Sequence, residues 1–171
     1  LITKSADTLF GLAKNDDSNA TAYRYALNAG NTFAVLGADY TQHNTAGELN
    51  LYDPATGQGE MTERYLTERS RMLTYWVKHN LTDGQRNVDR TLLTDRRYED
   101  IARSVTLLVD HSTNTSTATM PKQNYIFGGE GNDTRFGDED NDVIFGGTGM
   151  DRLDGGKGAD YLEGNAGSDI L

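Results

Sequence analysis

Cysteine is absent from the sequence, so disulfides, thiolate metal sites and thiol catalysis are all excluded. No apolar run approaches the length needed to cross a bilayer, and no signal peptide is visible. Basic residues are in short supply: 16 Lys and Arg stand against 26 Asp and Glu, for a net charge of −10. Nucleic acid is therefore not an expected partner, because phosphate binding needs clustered Lys and Arg. Also missing are a Gly-x-Ser-x-Gly elbow, a His-Glu-x-x-His pair and a phosphate loop. A complete hydrolase of those types is not encoded.

What is present is acid, unevenly placed. Residues 121–171 hold eleven Asp and Glu against four Lys and Arg, and so dense an excess of carboxylate demands either a cation or disorder. The 171 residues suit one domain, or one domain with an appended repeat array. The chain opens on Leu1 rather than Met and stops one residue short of completing a repeat; the expectation is a piece of a longer protein.

The acid-rich stretch is periodic. Gly128 to Leu171 reads in steps of nine as GGEGNDTRF, GDEDNDVIF, GGTGMDRLD, GGKGADYLE and GNAGSDIL. Each step has the form Gly-Gly-x-Gly-x-Asp-x-U-x, where U is a large apolar residue. Aspartate returns at Asp133, Asp142, Asp151, Asp160 and Asp169, and U falls on Ile144, Leu153, Leu162 and Leu171. Gln123–Phe127 has the tail of the same nonapeptide, with Asn124 where aspartate belongs. These repeats resemble the RTX (repeats-in-toxin) family. The resemblance implies a right-handed calcium-binding parallel β-roll over 123–171, following an α+β part over 1–110 and a linker over 111–122.

It also implies where metal would sit. Two nonapeptides complete a coil, so turns stack eighteen residues apart, and calcium takes six to eight oxygens. One turn gives its second and fourth carbonyls and its aspartate; the turn eighteen residues on gives its first and third carbonyls and its own aspartate. The first site is then Gly129, Gly131 and Asp133 with Gly146, Thr148 and Asp151. The second is Asp138, Asp140 and Asp142 with Gly155, Lys157 and Asp160. The third is Gly147, Gly149 and Asp151 with Gly164, Ala166 and Asp169. A possible fourth joins Lys122 and Asn124 to Gly137, Glu139 and Asp142, and lacks one carboxylate. Gly156, Gly158 and Asp160 make a half-site. With little apolar core per repeat, binding calcium would be folding.

Three departures from the pattern matter. Arg135 occupies a U position, where burying a charge is costly, which places it at the open first coil. Asp138 and Asp140 replace glycines of the turn; aspartate tolerates positive φ better than most residues. Asn165 is tolerable on the same ground.

Ahead of the repeats, Thr3–Lys14 reads as a short helix capped by Ser5, and Ala20–Asn28 as a second helix with Tyr23, Ala26 and Leu27 on one side. Phe33–Leu36 is expected as a buried strand, and Glu48–Tyr52 as a half-buried one. Asp53–Gly59 is turn chemistry. Thr62 caps the strongest helix, which runs to about Asn80 with Tyr65, Leu66, Met72, Leu73, Trp76 and Val77 as its apolar stripe and Glu68, Arg71 and Lys78 opposite. Leu92 and Leu93 add apolar content, Tyr98–Arg103 reads as another helical turn, and Ser104–Val109 as a strand.

Residues 20–80 loosely resemble the segment before the repeats in large secreted RTX proteins, some with lipase-like modules. That likeness implies a candidate catalytic histidine, His43, in a loop after a strand and ahead of a long last helix, with serine and acid upstream; Asp39 is a nearby acid but poorly placed. The bland alternative is a loop histidine hydrogen-bonded to Asn44 or to solvent. His79 suits a helix C-terminus, and His111 is expected to be solvated. The classes of function are therefore three. One is a calcium-responsive module of a bacterial protein exported through a type I secretion apparatus and located outside the cell or at its surface. Another is the end of a secreted lipase-like or esterase-like hydrolase. The last is an adhesin or other region binding a membrane or cell-surface target, whose specificity leaves no mark in the residues.

Overall fold

A computed structural model describes residues 4–79, 96–109 and 123–171. Leu92, Leu93, His111, Lys122 and the expected linker over 111–122 lie outside the described residues. Helices fill the N-terminal stretch and strands the C-terminal one, a mixed α/β chain. It divides into two compact units, residues 1–80 and 81–171.

In the first unit, helices α1 (Ala6–Ala13), α2 (Ser18–Asn28) and α3 (Glu63–His79) pack on one another. Each begins at a polar cap: the side chains of Ser5, Asp17 and Thr62 accept from the amides of Thr8, Ala20 and Tyr65, which satisfies N–H groups that a helix start leaves without partners. Leu9, Ala26, Leu27, Leu66 and Leu73 of the helices are buried, as is Leu49 of the connection before α3. Two buried arginines tie helix ends together. Arg24 donates to the carbonyls of Ala13 and Asn15 at 2.8 Å each, and Arg69 to those of Leu27 and Asn28. Burial lowers the Arg24 pKa, against the pull of Asp16 and Asp17.

Several expectations for this unit change. Phe33, Val35 and Leu36 form no strand and are 57%, 54% and 52% exposed. The chain turns at Gly37, where φ is +76°, and the Val35 carbonyl, which a ladder would have used, accepts the Tyr40 hydroxyl at 2.7 Å. Glu48–Tyr52 makes a lone bridge, Leu51 to Met61, instead of a strand. Glu68 is buried rather than solvated, because Arg71 and Arg64 reach its carboxylate from either side. Asp53-Pro54 is a plain turn: the Asp53 carboxylate accepts the Ala55 amide, and Asp53 bridges Gln58.

The second unit is built on two sheets. Strands β1 (Arg96–Asp100), β2 (Val105–Val109), β3 (Gln123–Glu130), β5 (Val143–Gly149) and β7 (Tyr161–Gly167) form one sheet in the order β2-β1-β3-β5-β7. Strands β4 (Thr134–Phe136) and β6 (Arg152–Asp154) form the other. Successive repeats thus alternate between sheets, and every pair among β3 to β7 is parallel in an eighteen-residue register: Ile126 to Ile144 to Leu162 in one, Arg135 to Leu153 in the other. The U side chains Ile126, Ile144 and Leu153 meet in one core with Ile101 and Leu162 against it.

β1 and β2 belong to this unit, not to a part ending at residue 110. β1 runs parallel to β3, from Arg96 opposite Gln123 to Asp100 opposite Phe127. That pairing is why Tyr98–Arg103 is not helical: the ladder claims its backbone as far as Asp100. The Asp100 carboxylate then folds the turn by accepting from the Arg103 amide and guanidinium.

The outer flanks of the two sheets differ. On the first, Tyr125, Phe127, Val143 and Phe145 are buried, with the Phe127 and Phe145 rings stacked at 5.1 Å. On the second, the matching Thr134, Phe136, Arg152 and Asp154 are exposed. A parallel strand buried on both faces reads as an unbroken apolar run, as Tyr-Ile-Phe and Val-Ile-Phe do.

Candidate metal centre

The aspartates of the repeats form a ladder. The Oδ1 of Asp142, Asp151, Asp160 and Asp169 accepts the backbone amide of the residue eighteen positions earlier, Asn124, Asp133, Asp142 and Asp151, at 2.7–2.9 Å. A carboxylate has two oxygens, and this one bond fixes the direction of the other. Each Oδ2 points back at the first glycine of its own turn: Asp133 at Gly128, Asp142 at Gly137, Asp151 at Gly146, Asp160 at Gly155 and Asp169 at Gly164.

Carbonyls from the next turn reach the same places. A Cβ on Gly128 would meet Asp133 Oδ2 and the Gly146 carbonyl; on Gly137, Asp142 Oδ2 and the Gly155 carbonyl; on Gly146, Asp151 Oδ2 and the Gly164 carbonyl. Each space is open only because glycine has no side chain. Its two oxygens are one carboxylate and one carbonyl of the same expected site. The second and fourth carbonyls lie close by: Gly129 and Gly131 against Gly147 and Gly149, Asp138 and Asp140 against Gly156 and Gly158, and Gly149 against Gly167. The Thr148 carbonyl accepts the Gly131 amide, and the Asp138 carbonyl accepts the Lys157 amide, each at 2.8 Å; a carbonyl keeps a second lone pair after one such bond. Ala166 is buried opposite Thr148.

Asp151 carries the clearest sign of an unfilled demand. It is buried, and its Oδ2 has no hydrogen-bond partner. Burial raises its pKa; the Asp133 amide opposes that, Asp169 and Asp133 add to it as like charges, and Arg135 works against them. A buried anion without a partner is costly. The donors around it are oxygens alone, which suits a hard cation with six to eight oxygen ligands rather than a soft one. Among the described residues no three Asp, Glu or His side chains gather into a metal cluster, so backbone carbonyls would supply most of any ligand set.

Residues 123–144 and 136–171 match the RTX calcium-binding nonapeptide repeat, in four copies. Residues 123–171 are RTX calcium-binding repeats. No curated protein and no solved structure matches the chain. The RTX match begins at Gln123, which includes the degenerate repeat headed by Asn124. There the Asn124 amide and side-chain Nδ2 both donate to Asp142 Oδ1, at 2.7 and 3.1 Å, so Asn124 holds the ladder without bringing charge.

Two RTX departures resolve differently from expectation. Asp138 and Asp140 do not take positive φ; among the described non-glycine residues only Ser104 and Asn165 do. The turn is remade by local bonds instead: Asp142 Oδ2 accepts the Asp138 amide and Asp138 Oδ1 the Glu139 amide. Arg135 does stand at the first full repeat, but its guanidinium turns to Asp133 at 2.5 Å. Nothing in the nine-residue pattern announced that pair.

His43 belongs to the first unit. It ends a short 3-10 turn, Thr41–His43, is exposed, and packs its ring on Tyr25 at 4.6 Å between centroids. The Asp39 carboxylate accepts the amide and hydroxyl of Thr41, which lower its pKa.

Proposed function

We propose that residues 123–171 close into a right-handed parallel β-roll that holds three calcium ions, and that the chain is the calcium-responsive folding module of a large type I-secreted bacterial protein. The observation that carries this is the aspartate ladder. Its Oδ1 atoms join turns eighteen residues apart, and its Oδ2 atoms converge with carbonyls of the following turn. The first site takes Gly129, Gly131, Asp133, Gly146, Thr148 and Asp151; the second Asp138, Asp140, Asp142, Gly155, Lys157 and Asp160; the third Gly147, Gly149, Asp151, Gly164, Ala166 and Asp169. Calcium bound there supplies positive charge that neutralises stacked carboxylates.

The chain's own residues account for the rest. Glycines let turns approach, the ladder orients each carboxylate, and Ile126, Ile144 and Leu153 provide the apolar seam. That seam is small, so the folded array depends on relieving repulsion such as that among Asp133, Asp151 and Asp169. Extracellular calcium modules bind in the range of about 10⁻⁴–10⁻³ M, which would keep the array open where calcium is scarce and order it outside. Circular dichroism of the chain in chelator and then in millimolar calcium tests this. A gain in β signal with about three bound ions is expected; an unchanged spectrum refutes it.

A further inference from the structure

The ladder has one irregular rung. Where Asp142, Asp151, Asp160 and Asp169 spend Oδ1 on a backbone amide, Asp133 spends it on Arg135 Nη2 at 2.5 Å. Arg135 sits opposite Leu153 in the β4–β6 register, where the repeat calls for an apolar side chain. Instead of filling the interior, its guanidinium folds back: Nη1 donates to the Thr134 carbonyl at 3.1 Å, and Nε is buried without a partner. Asp133 is one of the two carboxylates of the first proposed site, so a resident cation already lies on that site.

The turn between β1 and β2 covers the same end of the array. Ile101 packs against the Ile126, Ile144 and Leu153 core, and its amide donates to the Phe127 carbonyl at 2.9 Å. Ala102 lies against Gly129, close enough that a Cβ there would strike its methyl at 2.7 Å. The turn between β1 and β2 thus closes over the second glycine of the first full repeat.

We infer that Arg135 is a built-in counter-ion that stands in for calcium at the first site. This inference rests on the calcium roll proposed above. A guanidinium and a divalent cation cannot both lie on Asp133 without repelling each other, and the guanidinium is tethered two residues away. The first site therefore takes calcium more weakly than the second and third. The first coil keeps its carboxylate ladder in the absence of metal, held by Arg135 and the β1–β2 turn, and offers later coils a template.

Calcium titration of the whole chain by calorimetry, beside circular dichroism in chelator, tests this. Wild type should bind two ions at least about tenfold more tightly than a third. Arg135→Leu, matching Leu153, should bind three ions in the tight class and lose more β signal in chelator. If that variant does not fold even in calcium, Arg135→Gln, which keeps a donor without charge, should show the three-ion pattern. Arg135→Lys, which keeps the charge, should stay like wild type. Three equivalent ions in wild type, or a two-ion pattern unchanged in the neutral variants, would overturn the role given to Arg135 and leave the calcium roll standing. Absence of calcium binding and of any spectral change in every protein would instead bring down the roll itself.

Discussion

The Oδ1 of Asp151 accepts the backbone amide of Asp133 at 2.7 Å, while the amide of Asp151 donates to Asp169 Oδ1 at 2.9 Å. Asp151 is therefore the middle rung on its side of the array, joined to the turns on both sides. Its Oδ2 stays buried and without a hydrogen bond, between a task already done and one that awaits a cation.

Asp151→Ala should cost more than any other single aspartate replacement. It removes a carboxylate shared by two proposed sites and leaves the Asp133 amide without its acceptor, which alone costs about 1–3 kcal/mol. The calcium midpoint of the β signal should move up by more than tenfold, and by less in Asp160→Ala. Equal shifts in the two variants would count against the sharing.

Acid should act in opposite directions with and without calcium. In the metal-free fold burial holds the Asp151 pKa above its ordinary 3.8, so the folded form binds more protons than the unfolded one. That contribution is fully present below pH 3.8 and is lost as pH rises through the raised value. The residual β signal in chelator should therefore rise on mild acidification. In saturating calcium the bound ion favours the carboxylate, and the same change should lower the melting temperature. Parallel trends in both conditions would contradict this.

Gly147 and Gly131 both have positive φ, +114° and +104°, yet alanine should be tolerated differently at each. At Gly131 nothing lies within 4 Å of a new Cβ, whereas at Gly147 it would run into the Gly129 carbonyl. The backbone conformation costs about 1–3 kcal/mol in either case. Only Gly147→Ala should add a steric cost and weaken calcium binding, as read by denaturation and calorimetry.

Ile144 is fully buried at the centre of the apolar seam. Ile144→Ala should destabilise the calcium-loaded array by about 2–5 kcal/mol, measured by chemical denaturation. In the first unit, Asp17→Ala should cost about 0.5–2 kcal/mol through the lost cap of α2, and leave the calcium midpoint where it was.

Much of the array was legible in the sequence because nine-residue periodicity constrains backbone and side chain together. Every aspartate from Asp133 to Asp169 falls on the ladder, and Asn124 keeps its place in it. Non-local effects were not legible. Phe33–Leu36 has the composition of a strand but lacks a partner ladder among the described residues, and β1 is a strand because β3 pairs with it. Asp138 and Asp140 escaped positive φ through bonds from their own turn. Arg135 read as a misfit at an apolar position, since no local pattern reveals that its charge would turn to Asp133. The burial of Tyr125, Phe127, Val143 and Phe145 did leave a trace: both neighbours of the U residue are apolar or aromatic in β3 and β5, and not both in β4, β6 or β7.

That trace sets a rule for how such an array can change length. The nonapeptide carries the metal-binding pattern, but β3 and β5 bury the residues beside U where β4 and β6 expose theirs, so over these four strands the flanks alternate from one repeat to the next. Inserting or deleting nine residues upstream of Val143 would preserve each calcium motif while moving Phe145 onto the face that water reaches and Arg152 onto the one that excludes it. Gain or loss of eighteen would disturb neither. Duplication and loss within this array should therefore be quantised in pairs of repeats, with the odd steps removed by aggregation or misfolding rather than by failure to bind calcium.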